Sequence, residues 1–304
     1  MYVYNRLNQK LLEMGLSKSE LAKKTGISSR TIAKMNKGES VSNNVIKKIA
    51  SFLSCSPADI FEVTSDNHIL RILREEKSAK ISGGLYHELQ VCMTYNSNCI
   101  EGSKLTEDQT RMIFETNSLD VGDGVLVDDV LEAVHHFRAI DYVIDIAEEP
   151  LTEDIAKHLH YILKHDTKDS TISWFAVGNY KRRANVVGGI ETARPSDVPA
   201  KMKQLFSEYA QKSEVNFRDI VAFHYDFERI HPFQDGNGRV GRLIILKECL
   251  RYNIVPFVIE DAKKSFYYRG LSQWRDEPGY LLDTCLDGQD SFKRLLSVLE
   301  IPFD

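Results

Sequence analysis

The chain has 304 residues, of which 42% are hydrophobic and 27% charged, and its formal net charge is -5. These proportions are typical of an ordinary globular protein, and the length allows two domains with a sizeable core. The five cysteines form no C-x-x-C pair and are odd in number, which argues against a disulfide framework. No signal-peptide pattern and no apolar run of about 18 residues is present, so we expect a cytoplasmic protein with no membrane partner.

The first predicted unit, residues 1 to 64, contains short helical clusters of apolar residues. Ser17 and Glu20 form a predicted capping box, Thr25-Gly26 a turn, and Ser28 the cap of a second helix. This order resembles the phage-repressor-like, or XRE-type, helix-turn-helix DNA-binding domain. The unit has a net charge of +5, whereas the rest of the chain has -10. We therefore predict contacts with double-stranded DNA; the alternative is a protein-binding helical domain with a solvated basic face. The predicted DNA contacts are Ser28, Ser29, Arg30, Lys34 and Asn36.

A polar stretch at Thr64-Ser65-Asp66-Asn67 predicts a domain boundary, after which residues 65 to 304 form a second unit. Helices dominate this unit, so the predicted class is all-α. The patterns cover 66 to 80, 84 to 101, 106 to 116, 127 to 147, 152 to 165, 197 to 211, 216 to 230, 239 to 253 and 261 to 272.

Two segments of the second unit have distinct patterns. Ser97 and Glu101 are four residues apart on a predicted helix, so they share one face, and Gly102 is a predicted terminator. The stretch from Trp174 to Gly189 is rich in β-forming and turn residues, which predicts a hairpin; the alternative is a basic surface hairpin without a special role.

Residues 231 to 242 read H-P-F-Q-D-G-N-G-R-V-G-R and join two predicted helices. The loop and the positive end of the following helix favour an anion. Arg239 and Arg242 lie on one helical face and can bind two phosphates. Asp235 suits a magnesium ion, and His231 is the one base in the run that titrates near neutrality. Taken alone, His231 fits a satisfied core histidine better than a catalytic base.

This run matches the pattern H-x-F-x-D/E-G-N-G-R-x-x-R and resembles the active-site motif of the Fic family. The resemblance implies transfer of AMP from ATP to a hydroxyl side chain of a protein, within a helical fold that has a small β-hairpin flap. It assigns the general base to His231 and the Mg²⁺ ligand to Asp235. The phosphate-binding positions that it implies are Gly236, Asn237, Gly238, Arg239 and Arg242.

The resemblance extends to three other segments. Ser97, Glu101 and Gly102 are similar to the S/T-x-x-x-E-G/N motif of an N-terminal inhibitory helix, here around 85 to 102. In the family the glutamate pairs with the second motif arginine, here Arg242, and excludes the γ-phosphate. The hairpin resembles the flap that docks target backbone, with Gly178, Tyr180, Lys181 and Val186 at the matching positions. The run from Lys263 to Leu271 resembles the helix beside the adenine pocket, so Tyr267 and Tyr268 are predicted base contacts.

Two alternative functions remain open. One is a DNA-binding transcriptional regulator whose Fic-like domain senses nucleotide without efficient catalysis. The other, within the enzyme class, is transfer of phosphate, UMP or phosphocholine. The predicted cofactor is Mg²⁺ with ATP as co-substrate, and the predicted partners are a hydroxyl-bearing protein target and DNA. The sequence leaves open a homo-oligomer, and also whether Glu101 supports AMP removal.

Overall fold

We describe residues 2–36, 41–60, 62–63, 67–120, 125–187 and 190–303 of a computed structural model. The chain divides into two compact units, Met1–Asn67 and His68–Asp304. The predicted boundary residues Thr64, Ser65 and Asp66 lie outside the described residues. Within the described ranges, no helix is both long and apolar enough to cross a membrane.

The smaller unit is a bundle of short helices closed by one strand pair. Its elements are β1 (Tyr2–Val3), α1 (Asn5–Glu13), α2 (Lys18–Thr25), α3 (Ser29–Asn36), α4 (Asn43–Phe52) and β2 (Glu62–Val63). The capping box predicted at Ser17 and Glu20 is present, and Gly26 ends α2 in the left-handed conformation with φ of 69°. Apolar side chains of all four helices form a separate core around Leu7, Leu21 and Ile49.

The larger unit is a packed array of helices. They are α5 (His68–Ala79), α6 (Leu85–Ile100), α7 (Glu107–Thr116), α8 (Val127–Asp145), α9 (Glu153–Lys164), α10 (Val198–Ala210), α11 (Phe217–Ile230), α12 (Asn237–Arg251), α13 (Lys264–Gln273) and α14 (Gly279–Val298). Helices α5 to α13 lie within three residues of the predicted ranges. The predicted all-α class is confirmed.

Helix α12 is the centre of this unit. It is buried from Asn237 to Leu250, and it packs against α6, α8, α9 and α11. A helix with apolar residues on most of its sides, as in the run V-G-R-L-I-I-L, belongs in such a central position. Arg239 and Arg242 are therefore held inside the protein, where they need partners.

Two helices differ from the sequence-based predictions. Helix α12 begins at Asn237 rather than at Arg239, because Gly236 alone makes the turn, with φ of 77°. The sequence patterns do not predict α14, since the internal Gly288 interrupts its apolar spacing. A glycine is needed at this position because a Cβ there would lie 2.5 Å from the Val258 carbonyl oxygen.

The predicted hairpin over 174 to 189 is wrong in its extent. Turns and irregular backbone occupy residues 174 to 185. Strand pairing is confined to β3 (Val186–Val187) and β4 (Ile190–Glu191), which are antiparallel with Val186 opposite Glu191. Gly178 and Asn179, which are typical turn residues, lie in a local turn and do not connect two paired strands.

Candidate functional site

The site is built where α11 ends and α12 begins. His231 ends α11 in the left-handed conformation, with φ of 52°, and its N–H donates to the Phe227 carbonyl at 2.9 Å. Burial, with the charge of Lys181 adding to it, lowers the pKa of His231 to about 4. The imidazole is therefore neutral at pH 7, which is the form that accepts a proton.

The loop before α12 is fixed by the side chain of Asn237. Its Oδ1 accepts from the Phe233 N–H at 2.8 Å, and its Nδ2 donates to the Phe233 carbonyl at 2.9 Å. Gly236 then turns the chain into α12, whose first amides have no acceptor inside the helix. The backbone thus presents donors at a positive helix end, as an anion site requires.

Arg239 belongs to a buried cluster of opposite charges. Its Nη1 lies 2.5 Å from Glu132 Oε2, and its Nη2 lies 3.3 Å from Asp235 Oδ2. Lys164, only 1% exposed, lies 2.7 to 2.8 Å from carboxylate oxygens of Glu132, Asp169 and Asp235. Three carboxylates from α8, the loop after α9 and the loop before α12 therefore compensate the charges of two buried cations.

Sequence reasoning missed three members of this cluster: Glu132, Lys164 and Asp169. Lys164 carried a detectable signal, because it follows Leu163 on the apolar face of α9, where a lysine needs a partner. Glu132 and Asp169 had no local signal, since their partners are remote in sequence.

Asp235 is the one motif carboxylate and the predicted Mg²⁺ ligand. Although burial opposes ionisation, Arg239 and Lys164 hold its pKa below the ordinary value, so it stays charged. Its side chain is 48% exposed, unlike those of its cationic partners. Within the described ranges no three His, Cys, Asp or Glu residues form a metal-binding group. One exposed carboxylate fits an ion held mainly by phosphates and water, as Mg²⁺ commonly is.

Arg242 is engaged by α6. Its Nε donates to Ser97 Oγ at 2.9 Å, and its Nη2 donates to the Ser97 carbonyl at 3.0 Å and to Glu101 Oε1 at 2.6 Å. A Cβ at Gly238 would overlap Glu101 Oε1, so the carboxylate lies directly against the first turn of α12. Ser97 and Glu101 thus contact Arg242 of the motif, and the Glu101 carboxylate lies directly beside Gly238.

The two predicted adenine contacts differ in accessibility. Tyr267 is 1% exposed, and its hydroxyl lies 2.7 Å from His224 Nε2 within the core. Tyr268 is 43% exposed, and its hydroxyl donates to the Ile100 carbonyl at 3.3 Å, next to Glu101. Only Tyr268 has a surface free to stack on a base without rearrangement of the core.

The four residues of the predicted flap are spread over two kinds of structure. Gly178 has φ of 70°, and its N–H donates to His160 Nδ1 at 2.9 Å. The Tyr180 hydroxyl donates to Glu153, and its ring packs 6.0 Å from that of Phe233. The Lys181 N–H donates to the Pro232 carbonyl at 2.8 Å. Val186 is 63% exposed on β3. Tyr180 and Lys181 therefore contact the loop, Gly178 contacts α9, and Val186 faces solvent.

In the smaller unit, the predicted DNA contacts share an exposed surface at α3. Ser28 accepts the Thr31 N–H at 3.1 Å as the predicted cap, and the Asn36 side chain accepts from Lys18 Nζ at 2.5 Å. All five residues are exposed: Ser28, Ser29, Arg30, Lys34 and Asn36.

Family models match both units. Residues 150–249 match the Fic/DOC family. The chain contains a Fic/DOC domain. Residues 6–66 match the Cro/C1-type HTH DNA-binding domain. The resemblance of the larger unit to the Fic family and that of the smaller unit to a helix-turn-helix DNA-binding domain are confirmed.

Relatives and solved structures agree with the Fic/DOC assignment. The chain is 31% identical over 185 residues to the protein adenylyltransferase Fic of Drosophila willistoni, covering 58% of this chain and 35% of the relative. The Drosophila melanogaster protein is 31% identical over 189 residues, covering 58% and 36%. The chain thus spans about a third of the length of these curated relatives.

A Fic domain containing signaling protein from Bacteroides thetaiotaomicron superposes with a TM-score of 0.60. It is 26% identical, over 76% of this chain and 95% of that one. Fic-1 from C. elegans superposes with a TM-score of 0.57 at 17% identity, over 92% and 82%, which supports the fold.

Proposed function

We propose that this chain is a protein adenylyltransferase that moves AMP from ATP to a Tyr, Ser or Thr hydroxyl of a protein. The observation that carries the proposal is the junction of α11 and α12. There a neutral His231 precedes a glycine turn, and two arginines follow within the first two turns of α12. The relatives named protein adenylyltransferase Fic support the same reaction.

In the proposed reaction the target hydroxyl oxygen attacks the α-phosphorus of ATP. A new oxygen-phosphorus bond forms, the bond to the bridging oxygen of the β-phosphate breaks, and pyrophosphate leaves. His231 accepts the hydroxyl proton, since its imidazole is neutral. Arg239 and the amides at Asn237 and Gly238 offset the phosphate charge, which is the main requirement of such a transfer. We place the adenine against Tyr268.

Asp235 is the residue that would hold Mg²⁺ together with phosphates of ATP. When bound, the ion would neutralise charge on the leaving pyrophosphate. Lys164 and Arg239 keep the Asp235 side chain in place through its Oδ2 atom.

We further propose that Glu101 restrains the enzyme. Its carboxylate pairs with Arg242 and lies against Gly238, in the space that a terminal phosphate of ATP would need. Ser97 supports the same pair from one turn earlier on α6. A protein target would dock along the exposed edge at Val186, because an antiparallel edge can pair with an extended segment.

We assign double-stranded DNA binding to the smaller unit, on its family match and on the exposed α3 surface. If Arg30 and Lys34 each bind a phosphate, replacing either by alanine should lower the slope of log affinity against log salt by about 1. Gel shifts with random duplex at a series of salt concentrations measure the slope, and no affinity of the unmodified chain at low salt would refute DNA binding.

The position of the radiolabel in ATP separates the proposed reaction from its rivals. The Glu101→Gly protein should acquire label from ATP labelled at the α-phosphate and none from ATP labelled at the γ-phosphate. Label from γ-labelled ATP would show a kinase-type reaction, and preference for α-labelled UTP would show UMP transfer. Nucleotide binding without label from any of these would favour a sensor that lacks catalysis.

A further inference from the structure

Lys181 is a buried lysine whose ammonium donates hydrogen bonds to two neutral oxygen acceptors. It is 3% exposed, and its Nζ donates to Asn185 Oδ1 at 2.8 Å and to Thr192 Oγ1 at 2.6 Å. Lysines are rarely buried so fully unless a carboxylate pairs with them. Lys164, equally buried, has three carboxylates. The two buried lysines thus differ in their observed acceptors, which are carboxylates for Lys164 and neutral oxygens for Lys181.

The contacts of Lys181 join three segments of the site. Asn185 directly precedes β3 and Thr192 directly follows β4, so the ammonium holds the two ends of the hairpin together. The Lys181 backbone N–H donates to the carbonyl of Pro232, the residue after His231. One residue thus connects the hairpin to the backbone beside the proposed base.

The ammonium also acts on His231 through its charge. After burial, Lys181 is the strongest influence that lowers the pKa of the imidazole, whereas Glu101 and Asp235 raise it. Burial lowers the pKa of Lys181 itself to about 8, so most of its charge is kept at pH 7. The phosphates of ATP would add negative charge nearby and favour imidazolium, which cannot act as a base. A fixed cation beside His231 offsets that tendency.

We propose that Lys181 is a positioning residue for the transfer reaction. It ties the β3–β4 hairpin to the loop after His231, and its ammonium keeps the imidazole able to accept a proton while phosphates are bound. The proposal rests on the proposed adenylyl transfer for its purpose, but its effect on His231 can be measured without any transfer.

The test compares Lys181→Met, Lys181→Gln and Lys181→Arg in the full chain carrying Glu101→Gly. Titration of the His231 ring by ¹⁵N NMR, with and without a non-hydrolysable ATP analogue, reports its protonation midpoint. We expect Lys181→Met and Lys181→Gln to raise the midpoint by about one unit, which is a tenfold change in the protonation equilibrium. Lys181→Arg should keep it low, since the charge remains.

The matched control is Thr192→Val, which removes one acceptor of Lys181 and keeps the ammonium. The protonation midpoint of His231 in Thr192→Val should equal that in Lys181→Arg. The hairpin should be held less tightly in Thr192→Val, which should raise KM for a target protein. Equal midpoints in Lys181→Gln and Lys181→Arg would overturn the proposal. Lys181→Gln retains hydrogen-bonding groups for Asn185 and Thr192, so it replaces Lys181→Met if the latter fails to fold.

The rate of labelling gives a second readout. Relative to pH 7.5, labelling at pH 5 should fall roughly twofold further in Lys181→Gln than in Lys181→Arg, because a midpoint raised by about one unit leaves about half of His231 protonated there. If the protein with Lys181 intact transfers no AMP at any pH, the adenylyltransferase proposal fails. The NMR midpoints would still decide whether Lys181 controls His231.

Discussion

The two arginines of the motif lie three residues apart on α12, yet they are held in different ways. Arg239 belongs to a cluster that also contains Lys164, Glu132 and Asp235, and its partners come from the same loop and from a neighbouring helix. Arg242 instead meets Ser97 and Glu101 at the end of α6. The first arrangement is part of the folded interior, whereas the second depends on a single carboxylate at a helix terminus.

The difference indicates which partner ATP can displace. Glu132 contacts two buried cations, so its removal would leave both without full compensation. Glu101 contacts one guanidinium, and Ser97 still holds that group when the carboxylate leaves. We therefore expect Glu101 to control activity with little effect on stability, and Glu132 to do the reverse.

Glu101→Gly should have the largest effect on activity. Loss of a charge-assisted hydrogen bond to a buried arginine is worth about 1.5–3 kcal/mol, which corresponds to roughly a 10- to 100-fold rise in labelling with ATP. Initial rates of auto-modification measure this effect. Equal rates in the two proteins would refute the restraint at Arg242.

Glu132→Gln tests the other arginine through stability. Breaking a buried pair costs about 3–5 kcal/mol, and Glu132 lies between Lys164 and Arg239, so we expect a loss near the lower value. Urea unfolding measures the change. Glu101→Gln is the matched control and should lose about half as much or less. A larger loss in the control would contradict the distinction between the two arginines.

The sequence predicted Arg242 together with its partners, but it predicted Arg239 without Glu132. The run from His231 to Arg242 carries the turn and the phosphate-binding residues in local order, and Ser97 with Glu101 has a helical spacing. Local patterns therefore identified most of the candidate site. Lys164 and Glu132 could not be joined to it in this way, since they meet Asp235 and Arg239 only through the packing of α8, α9 and α12.

The hairpin and α14 show the same limit for the fold. Glycines and β-forming residues from Trp174 onward predicted pairing too early, because local turns satisfy Gly178 and Asn179 there. In α14, Gly288 weakens the helical pattern but permits close contact with Val258. Only tertiary packing distinguishes such a glycine from a helix terminator.

Ser97→Ala tests the restraint at Arg242 and should change the labelling rate less than Glu101→Gly does. The Ser97 hydroxyl accepts from Arg242 Nε, and a single hydrogen bond of this kind is worth about 1 kcal/mol, or roughly a fivefold rise in labelling. The double variant with Glu101→Gly should gain little over Glu101→Gly alone, because both residues act on the same group. Independent, multiplicative gains would argue against a shared role.

The pH dependence should give the smallest effect. Burial, with repulsion from Glu101 adding to it, raises the pKa of Glu228 to about 8. A raised carboxyl pKa means that Glu228 is neutral below that pH and negative above it. Its charge would then repel Glu101, so labelling by the wild type relative to Glu101→Gly should rise a few-fold between roughly pH 7 and 9. Glu228→Gln should abolish the rise; a rise that persists in this variant would assign it to another group.

The central claim is that a neutral His231, beside a phosphate-binding helix end that Glu101 restrains, transfers AMP to a hydroxyl. Intact mass after incubation with ATP and Mg²⁺ tests it most directly, in Glu101→Gly and in Glu101→Gly with His231→Ala. We predict a gain of about 329 Da, one adenylyl group, in the first protein and none in the second, since the attacking hydroxyl lacks its base. No gain in the first protein, or an equal gain in both, would contradict the account.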